Sequence, residues 1–113
     1  SPTLVNMTPH DIILLNDTTV ILELPPSGNT IRLDQTDEMV DDLMVNDHQI
    51  EIVHTVFESA VSLPEILPNT FYIVSALVAN AYPERFDFLI VARTVRDENG
   101  RIKGCTAFAR ASP

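Results

Sequence analysis

Apolar residues in this chain cluster into short runs separated by turn-forming residues. The longest run covers residues 12–15, is followed by Asn16-Asp17, and precedes a second run at residues 20–24. β-Branched and leucine residues bounded in this way are typical of strands. We therefore predict a first strand over residues 4–15 and a hairpin partner over residues 20–24.

Further strands follow this hairpin along the chain. The Pro- and Gly-containing segment at residues 25–29 predicts a turn, because proline cannot donate to a strand ladder. Residues 30–33 are then expected to form a short strand. Residues 49–57 alternate well enough for a half-buried strand. Two prolines predict irregular structure over residues 58–69.

Residues 34–49 allow two interpretations. Six acidic residues are interrupted here by Met39, Val40, Leu43 and Met44, whose spacing is helical. The segment is therefore either a short amphipathic helix or a long acidic hairpin tip. It contains no glycine or proline that would mark a turn.

A strand-to-helix junction is expected near Ser75. Residues 71–74 have the composition of a buried strand, and Ser75 is a preferred N-cap residue for a helix over residues 76–82. Pro83 would end that helix after about two turns. Because the helix is apolar on nearly all sides, we expect it to be buried.

The C-terminal segment predicts a hairpin. Residues 88–95 form one strand, and Asn99-Gly100 favours a two-residue type I′ turn into a last strand over residues 101–110. This register places Arg96 opposite Lys103, which is unfavourable for like charges unless both side chains extend into water or an anion lies between them.

These elements predict an α+β fold with a mostly antiparallel β-sheet, either a small open barrel or sandwich-like, and one short buried helix. The 113 residues, of which 45% are hydrophobic, fit a single domain over residues 1–113. One cysteine excludes an internal disulfide, and no apolar run has the length of a membrane helix. The expected location is the cytoplasm.

Charge is distributed unevenly. Residues 1–84 hold 13 of the 16 acidic residues but only one of the seven basic residues. Residues 85–113 hold the other three acids and six bases. The net charge of −9 opposes direct binding to nucleic acid, because phosphates repel it. The basic end is suited to a small anion, the acidic end to a basic partner, and both also promote solubility.

Known catalytic and metal-binding motifs are missing from the sequence. The residues around Ser75 lack the glycines of a hydrolase elbow, a P-loop or a dinucleotide fold. The three histidines have no metal-ligand spacing, and the acids at residues 34–47 do not match a calcium loop. We expect no metal and no cofactor, and we assign Cys105 to the core.

Several segments resemble motifs of a family of small uncharacterised proteins of bacteriophages and bacterial genomes. The segments are residues 6–12 (NMTPHDI), 25–28 (PPSG), 72–79 (YIVSALVA), 85–87 (RFD) and 95–102 (VRDENGRI). The resemblance covers most of the chain and matches least over residues 34–60. It implies that the chain is a phage accessory protein that counters a bacterial defence in the host cytoplasm, by sequestering a signal nucleotide or by blocking a defence protein.

The first hypothesis is a non-enzymatic module that binds a phosphorylated or nucleotide-like ligand. Basic side chains would hold the anion, the Ser75 junction would orient it, and Tyr72 or Tyr82 would stack on it. An oligomer with a site between subunits would enlarge the concave surface. The proposed ligand-binding residues are Tyr72, Ser75, Arg85, Arg93, Arg96 and Lys103.

Two other hypotheses stay open. The chain is alternatively an acidic inhibitor of a bacterial defence protein, acting through Asp37, Glu38, Asp41 and Asp42, or a phage structural or assembly protein. An enzyme using His10 and a carboxylate has no support from residue spacing, so a binding protein is favoured over an enzyme.

Overall fold

A computed structural model of the protein describes residues 1–57 and 62–113. Strands hold 52% of the described residues and one short helix holds 6%, which confirms the predicted α+β class. The elements are β1 Thr3–Asn6, β2 Ile12–Asn16, β3 Thr19–Leu24, β4 Gln35–Val45, β5 His48–Phe57, β6 Thr70–Ile73, α1 Ala76–Ala81, β7 Phe88–Arg96 and β8 Ile102–Ala109.

The chain divides into two compact units. One combines Ser1–Ile31 with Leu63–Pro113, and the other is Arg32–Ser62. The single domain expected over residues 1–113 stays a prediction. Of the segment expected to be irregular, residues 58–61 lie outside the described residues, and residues 62–69 form no helix or strand.

The first unit is a six-stranded mixed sheet with the strand order β1-β6-β7-β8-β2-β3. The β2–β3 and β7–β8 pairs are antiparallel, as predicted for hairpins, whereas β1–β6, β6–β7 and β8–β2 are parallel. The sheet curls into a half-barrel, in agreement with the open-barrel form of the prediction. Parallel neighbours need long connections, so a sequence read for local hairpins does not predict them.

The continuous strand predicted over residues 4–15 is wrong, because Asn6 ends β1 and begins a bend. Asn6 is 2% exposed, and its Nδ2 donates to the carbonyls of His10 at 2.7 Å and Leu24 at 2.9 Å. Its Oδ1 accepts from the N–H of Thr8 at 3.0 Å and from the Thr8 hydroxyl at 2.7 Å. One buried amide therefore satisfies four polar groups and joins this bend to the end of β3.

The strand predicted at residues 30–33 is also wrong, since this segment has no regular structure. Ile31 is nevertheless buried. Its apolar side chain serves packing rather than a strand ladder, a distinction that a four-residue pattern does not make.

The core of the first unit forms where β2, β6 and β8 meet. Ile12, Ile73 and Cys105 are at most 4% exposed and are packed together. Gly104 lets β8 approach β2, because a Cβ at this position would lie 2.7 Å from the carbonyl oxygen of Ile13. The prediction that Cys105 belongs to the core is confirmed.

The helix α1 begins and ends as predicted. The Oγ of Ser75 accepts a hydrogen bond from the N–H of Val78 at 3.3 Å, and the helix closes at Tyr82, before Pro83. Val78 and Ala79 are buried, whereas Leu77 is 44% exposed. The expectation of a helix buried on nearly all sides is therefore wrong, because only one side is covered.

The second unit contains one long antiparallel hairpin, β4–β5, which we call the acidic hairpin (residues 35–57). The hairpin interpretation of residues 34–49 is confirmed, and the helical one is wrong. Asn46 and Asp47 have φ angles of 48° and 67°, the left-handed values that a two-residue type I′ turn requires. Since Asn and Asp tolerate this region, they replace the missing glycine.

Candidate functional site

The C-terminal hairpin β7–β8, which we call the basic hairpin, turns differently from the prediction. The N–H of Gly100 donates to the carbonyl of Asp97 at 3.0 Å, and the N–H of Asp97 donates to the carbonyl of Arg101 at 2.8 Å. Gly100 has a φ of 78°, whereas Asn99 has no positive φ. The connection is therefore a three-residue loop, and the two-residue type I′ prediction is wrong.

This longer loop changes the register that was expected to oppose two cations. Arg96 pairs with Ile102, and the irregularity at Val95/Arg96 leaves Lys103 without a directly opposed residue. The predicted Arg96–Lys103 pair is thus wrong. Instead, Nη1 of Arg96 donates to the carbonyl of Gly100 at 2.7 Å, which ties this guanidinium to its own turn.

A shallow concavity of about 360 Å³ lies at the tip of the basic hairpin. Its lining includes two of the predicted ligand residues, Arg96 and Lys103, but also the carboxylates of Asp97 and Glu98. The Asp97 carboxylate accepts from the N–H groups of Asn99 and Arg101 at 2.9 and 3.0 Å. Two cations and two anions around one concavity balance in charge, so the local field is not strongly positive.

Arg93 occupies an unusual place in the middle of β7. It is exposed and has a φ of 50°, although it lies between ordinary pairs of Ala92 with Ala107 and of Thr94 with Cys105. A left-handed conformation is costly for any residue with a Cβ. Arg93 is not among the residues that line the concavity at the hairpin tip.

Arg85 is committed to internal contacts rather than to a ligand. Its Nε and Nη2 donate to the two carboxylate oxygens of Asp87, each at 2.8 Å, and Nη2 also donates to the carbonyl of Pro64 at 2.8 Å. Its guanidinium lies 4.2 Å from the ring centre of Phe88. The hydrogen bonds to Asp87 raise the pKa of Arg85 above its ordinary value.

Tyr72 and Ser75 are also used within the fold. Tyr72 is 6% exposed, its hydroxyl donates to the carbonyl of Glu65 at 2.8 Å, and its ring packs edge-on against Phe88. Ser75 is exposed but caps α1. The six predicted residues therefore separate into Tyr72, Ser75 and Arg85, which support the fold, and three exposed bases of the basic hairpin.

The acidic hairpin carries the alternative site. Asp37, Glu38, Asp41 and Asp42 are all exposed on β4. The Asp37 carboxylate accepts from the hydroxyl of Thr55 at 2.8 Å, and the Asp42 carboxylate accepts from the side-chain amide of Gln49. All four residues are nevertheless exposed to solvent.

The most unexpected feature is the exposure of apolar side chains on both strands of the acidic hairpin. All ten of its large apolar residues are between 37% and 66% exposed. They are Met39, Val40, Leu43, Met44, Val45, Ile50, Ile52, Val53, Val56 and Phe57. The prediction of a half-buried strand over residues 49–57 is right about the strand and wrong about its burial.

Sequence reasoning missed this surface because exposure is a tertiary property. One signal was available: apolar residues alternate with polar ones imperfectly, so both faces of β4 and β5 carry both kinds. A strand with one buried face would instead show clean alternation.

Among residues 1–57 and 62–113, no group of three or more His, Cys, Asp or Glu side chains is placed to hold a metal ion. No helix within these ranges is long and apolar enough to cross a membrane.

No protein-family model, curated protein or solved structure matches the chain. The resemblance to phage and bacterial proteins therefore stays a prediction. The structure does give its motifs physical roles: residues 6–10 form the Asn6 bend, Ser27 donates its N–H to the carbonyl of Asn6 at 2.9 Å, and Arg85 pairs with Asp87.

Proposed function

We propose that this chain is a non-enzymatic binding protein whose acidic hairpin docks on a second protein with a basic and apolar surface. The observation that supports the proposal is the coincidence of ten exposed apolar side chains with six acidic residues and no lysine or arginine in residues 35–57. Exposed apolar patches rimmed by charge are typical of protein interaction sites.

The energetics of a two-stranded sheet favour the same conclusion. A hairpin without a third strand or a packed face is marginally stable in water. Covering its apolar side chains would stabilise it by about 25 cal/mol for each Å² of apolar surface removed from water. A partner that buries this surface therefore completes the packing that the hairpin lacks.

The acidic residues would select the partner and accelerate its approach. Asp37, Glu38, Asp41 and Asp42 concentrate negative charge along β4, and such fields steer basic surfaces at low ionic strength. The resemblance to phage proteins makes a bacterial defence protein, such as one with a nucleic-acid groove, the partner class that we propose.

A peptide of alternating lysine and valine residues is a defined probe for this chemistry. We expect calorimetry to detect binding that weakens between about 50 mM and 300 mM salt, because screening shortens the range of the attraction. A variant in which the four carboxylates of β4 are replaced by amides should lose the binding. Its substitutions are Asp37→Asn, Glu38→Gln, Asp41→Asn and Asp42→Asn.

The matched control carries amides at four other exposed acids, namely Asp11, Asp17, Glu23 and Glu84. It has the same net charge as the first variant, so it should keep most of the binding if the acidic hairpin is the site. Equal loss in both variants would mean that net charge alone attracts the peptide, and the proposal would fail.

The partner class has its own test in cells. The wild-type chain should raise the plating efficiency of a phage on bacteria that carry a susceptible defence system, and the variant with amides in β4 should not. If the wild-type chain and the variant raise the plating efficiency equally, the acidic hairpin is excluded as the counter-defence element.

The concavity on the basic hairpin favours a second candidate, a module that binds a small phosphorylated or nucleotide-like anion. Arg96 and Lys103 would contact the anion there. Calorimetry against nucleotides and cyclic dinucleotides should then give heat that an Arg96→Gln, Lys103→Gln variant abolishes and an Arg101→Gln variant retains. No heat with wild type at millimolar ligand would reject this candidate.

A further inference from the structure

The acidic hairpin has two outer strand edges, and they differ in character. In the part of the chain that the structure describes, β4 and β5 form a two-stranded sheet, so each strand has one edge without a neighbour. An unpaired edge exposes a row of backbone donors and acceptors that can pair with another strand.

The β4 edge carries the features that prevent such pairing. It bears four acids, and the irregularity between Met39 and Asp41 leaves Val40 as an extra residue that disturbs the ladder. Charges and bulges are two of the devices by which proteins protect an edge strand. A second β4 strand beside it would also bring eight carboxylates together.

The β5 edge lacks these features. Its one acid is Glu51, it contains no lysine, arginine or proline, and the register shift of the ladder lies on the β4 side. Six of its ten residues are β-branched or aromatic, the types that favour strands: Ile50, Ile52, Val53, Thr55, Val56 and Phe57.

We propose that two copies of this chain pair through their β5 strands to form a four-stranded sheet in the order β4-β5-β5-β4. A twofold axis perpendicular to the sheet makes the central pair antiparallel and the contact self-complementary. This dimer does not require the basic partner proposed above.

The charges are compatible with this symmetry. A twofold axis centred on Ile52 places Glu51 opposite Val53 of the second copy, and one centred on Val53 places it opposite Thr55. Neither arrangement opposes the two Glu51 carboxylates. The acidic β4 strands lie at the two outer edges, as far apart as the sheet allows, and remain open to a basic partner.

The dimer also supplies what the isolated hairpin lacks. Three or more strands with an apolar face are needed for independent stability, and the paired hairpins have four. Ile50, Ile52, Val53 and Val56 gain cross-strand neighbours, which stabilise a sheet pair by pair.

Sedimentation equilibrium of the full chain tests the proposal. Wild type should reach twice the 12.6 kDa mass of one chain at high concentration. An Ile52→Glu, Val53→Glu variant places like charges opposite one another for either axis, and its dimer dissociation constant should rise at least about tenfold.

The matched control is Met39→Glu, Val40→Glu, which adds the same two charges to β4. Met39 lies directly opposite Val53, so the control alters the same position of the ladder on the other strand. Its dissociation constant should stay within about threefold of wild type, which corresponds to well under 1.4 kcal/mol. Equal weakening by both variants, or a wild type that stays monomeric at about 1 mM, would overturn the proposal.

Hydrogen exchange of wild type at two protein concentrations decides the question without any variant. The outward-facing amides of β5 should gain protection as concentration rises, whereas the outward-facing amides of β4 should not. Protection that appears at the outer edge of β4 or in the six-stranded sheet instead would assign the contact to another surface. The variant with amides in β4 should still dimerise while losing the lysine–valine peptide, so failure of one proposal leaves the other testable.

Discussion

Asp42 on β4 lies directly opposite Glu51 on β5, so two carboxylates face each other across the ladder of the acidic hairpin. Like charges in this position destabilise a strand pair. The side-chain amide of Gln49 donates to Asp42 and reduces the repulsion only in part. This hairpin is therefore not optimised for its own stability, which agrees with a binding role.

Glu51→Gln should stabilise the acidic hairpin by about 0.5 kcal/mol, because it removes one of the two facing charges. Hydrogen exchange of the β4 and β5 amides measures the change. Glu38→Gln serves as the control, since Glu38 faces His54 rather than an acid. If both variants slow exchange equally, total charge and not the Asp42–Glu51 pair sets the stability.

Arg85→Lys should destabilise the first unit by about 2–3 kcal/mol. Lysine cannot reproduce the two parallel hydrogen bonds to Asp87, and the side chains of both residues are about 10% exposed or less. Urea unfolding measures the loss, with the exposed Arg101→Lys as a control expected within about 0.5 kcal/mol. Equal, small effects would show that the ion pair is dispensable.

Asn6→Asp should cost about 2–4 kcal/mol at neutral pH. The substitution keeps the shape of the side chain but removes the amide donor that bonds the carbonyls of His10 and Leu24, and it buries a charge. Thermal unfolding measures the effect. Asn80→Asp changes an exposed amide on α1 and should cost far less, so similar losses at the two positions would contradict this role of Asn6.

Arg93→Gly should leave stability unchanged or raise it by up to about 1 kcal/mol. Glycine weakens a strand by roughly 0.5–1 kcal/mol, but here it also removes the strain of a left-handed residue with a Cβ. Thr94→Gly removes no such strain and should be destabilising by about 1 kcal/mol. Chemical denaturation of both variants checks the difference, and equal losses would contradict a left-handed Arg93.

Ionisation of the Cys105 thiol should make the free energy of unfolding depend on pH. Burial raises the pKa of its thiol, so the folded state favours the protonated form. Its stabilising effect is fully present below the unfolded-state pKa of about 8.5 and is lost as pH rises toward the higher folded-state pKa.

Urea unfolding at pH 7.5 and at pH 9.5 tests this dependence, with Cys105→Ala as the variant that cannot titrate. The loss between the two pH values should be greater for wild type than for the variant. Identical losses would show that the thiol ionises as readily in the folded protein as in the unfolded one.

Local patterns in the sequence were sufficient for several elements. The β2–β3 hairpin, the buried strand β6, the Ser75 cap and the strand β7 follow from residue types and short-range spacing alone. These features depend on interactions between residues a few positions apart, and neighbouring side chains and backbone groups settle such interactions.

The candidate site was less predictable. The sequence identified cations and carboxylates but not their surroundings. The guanidinium of Arg85 is occupied by hydrogen bonds to Asp87 and to the carbonyl of Pro64. One extra loop residue pairs Arg96 with Ile102 rather than with Lys103. The extra loop residue changes the pairs next to the turn, and the irregularity at Val95/Arg96 then absorbs it, so that Val95 pairs with Gly104. Charge constellations inferred from an assumed register are therefore fragile close to a turn.

By itself, the sequence determined that this protein is a strand-rich α+β chain with an acidic N-terminal part and a basic C-terminal end. The tertiary structure alone decided that β1, β6 and β7 run parallel, that Asn6 is a buried junction, and that ten apolar residues of the acidic hairpin face solvent. The physical reason is that composition limits how much surface can be buried. Which side chains obtain neighbours is set by contacts between distant segments.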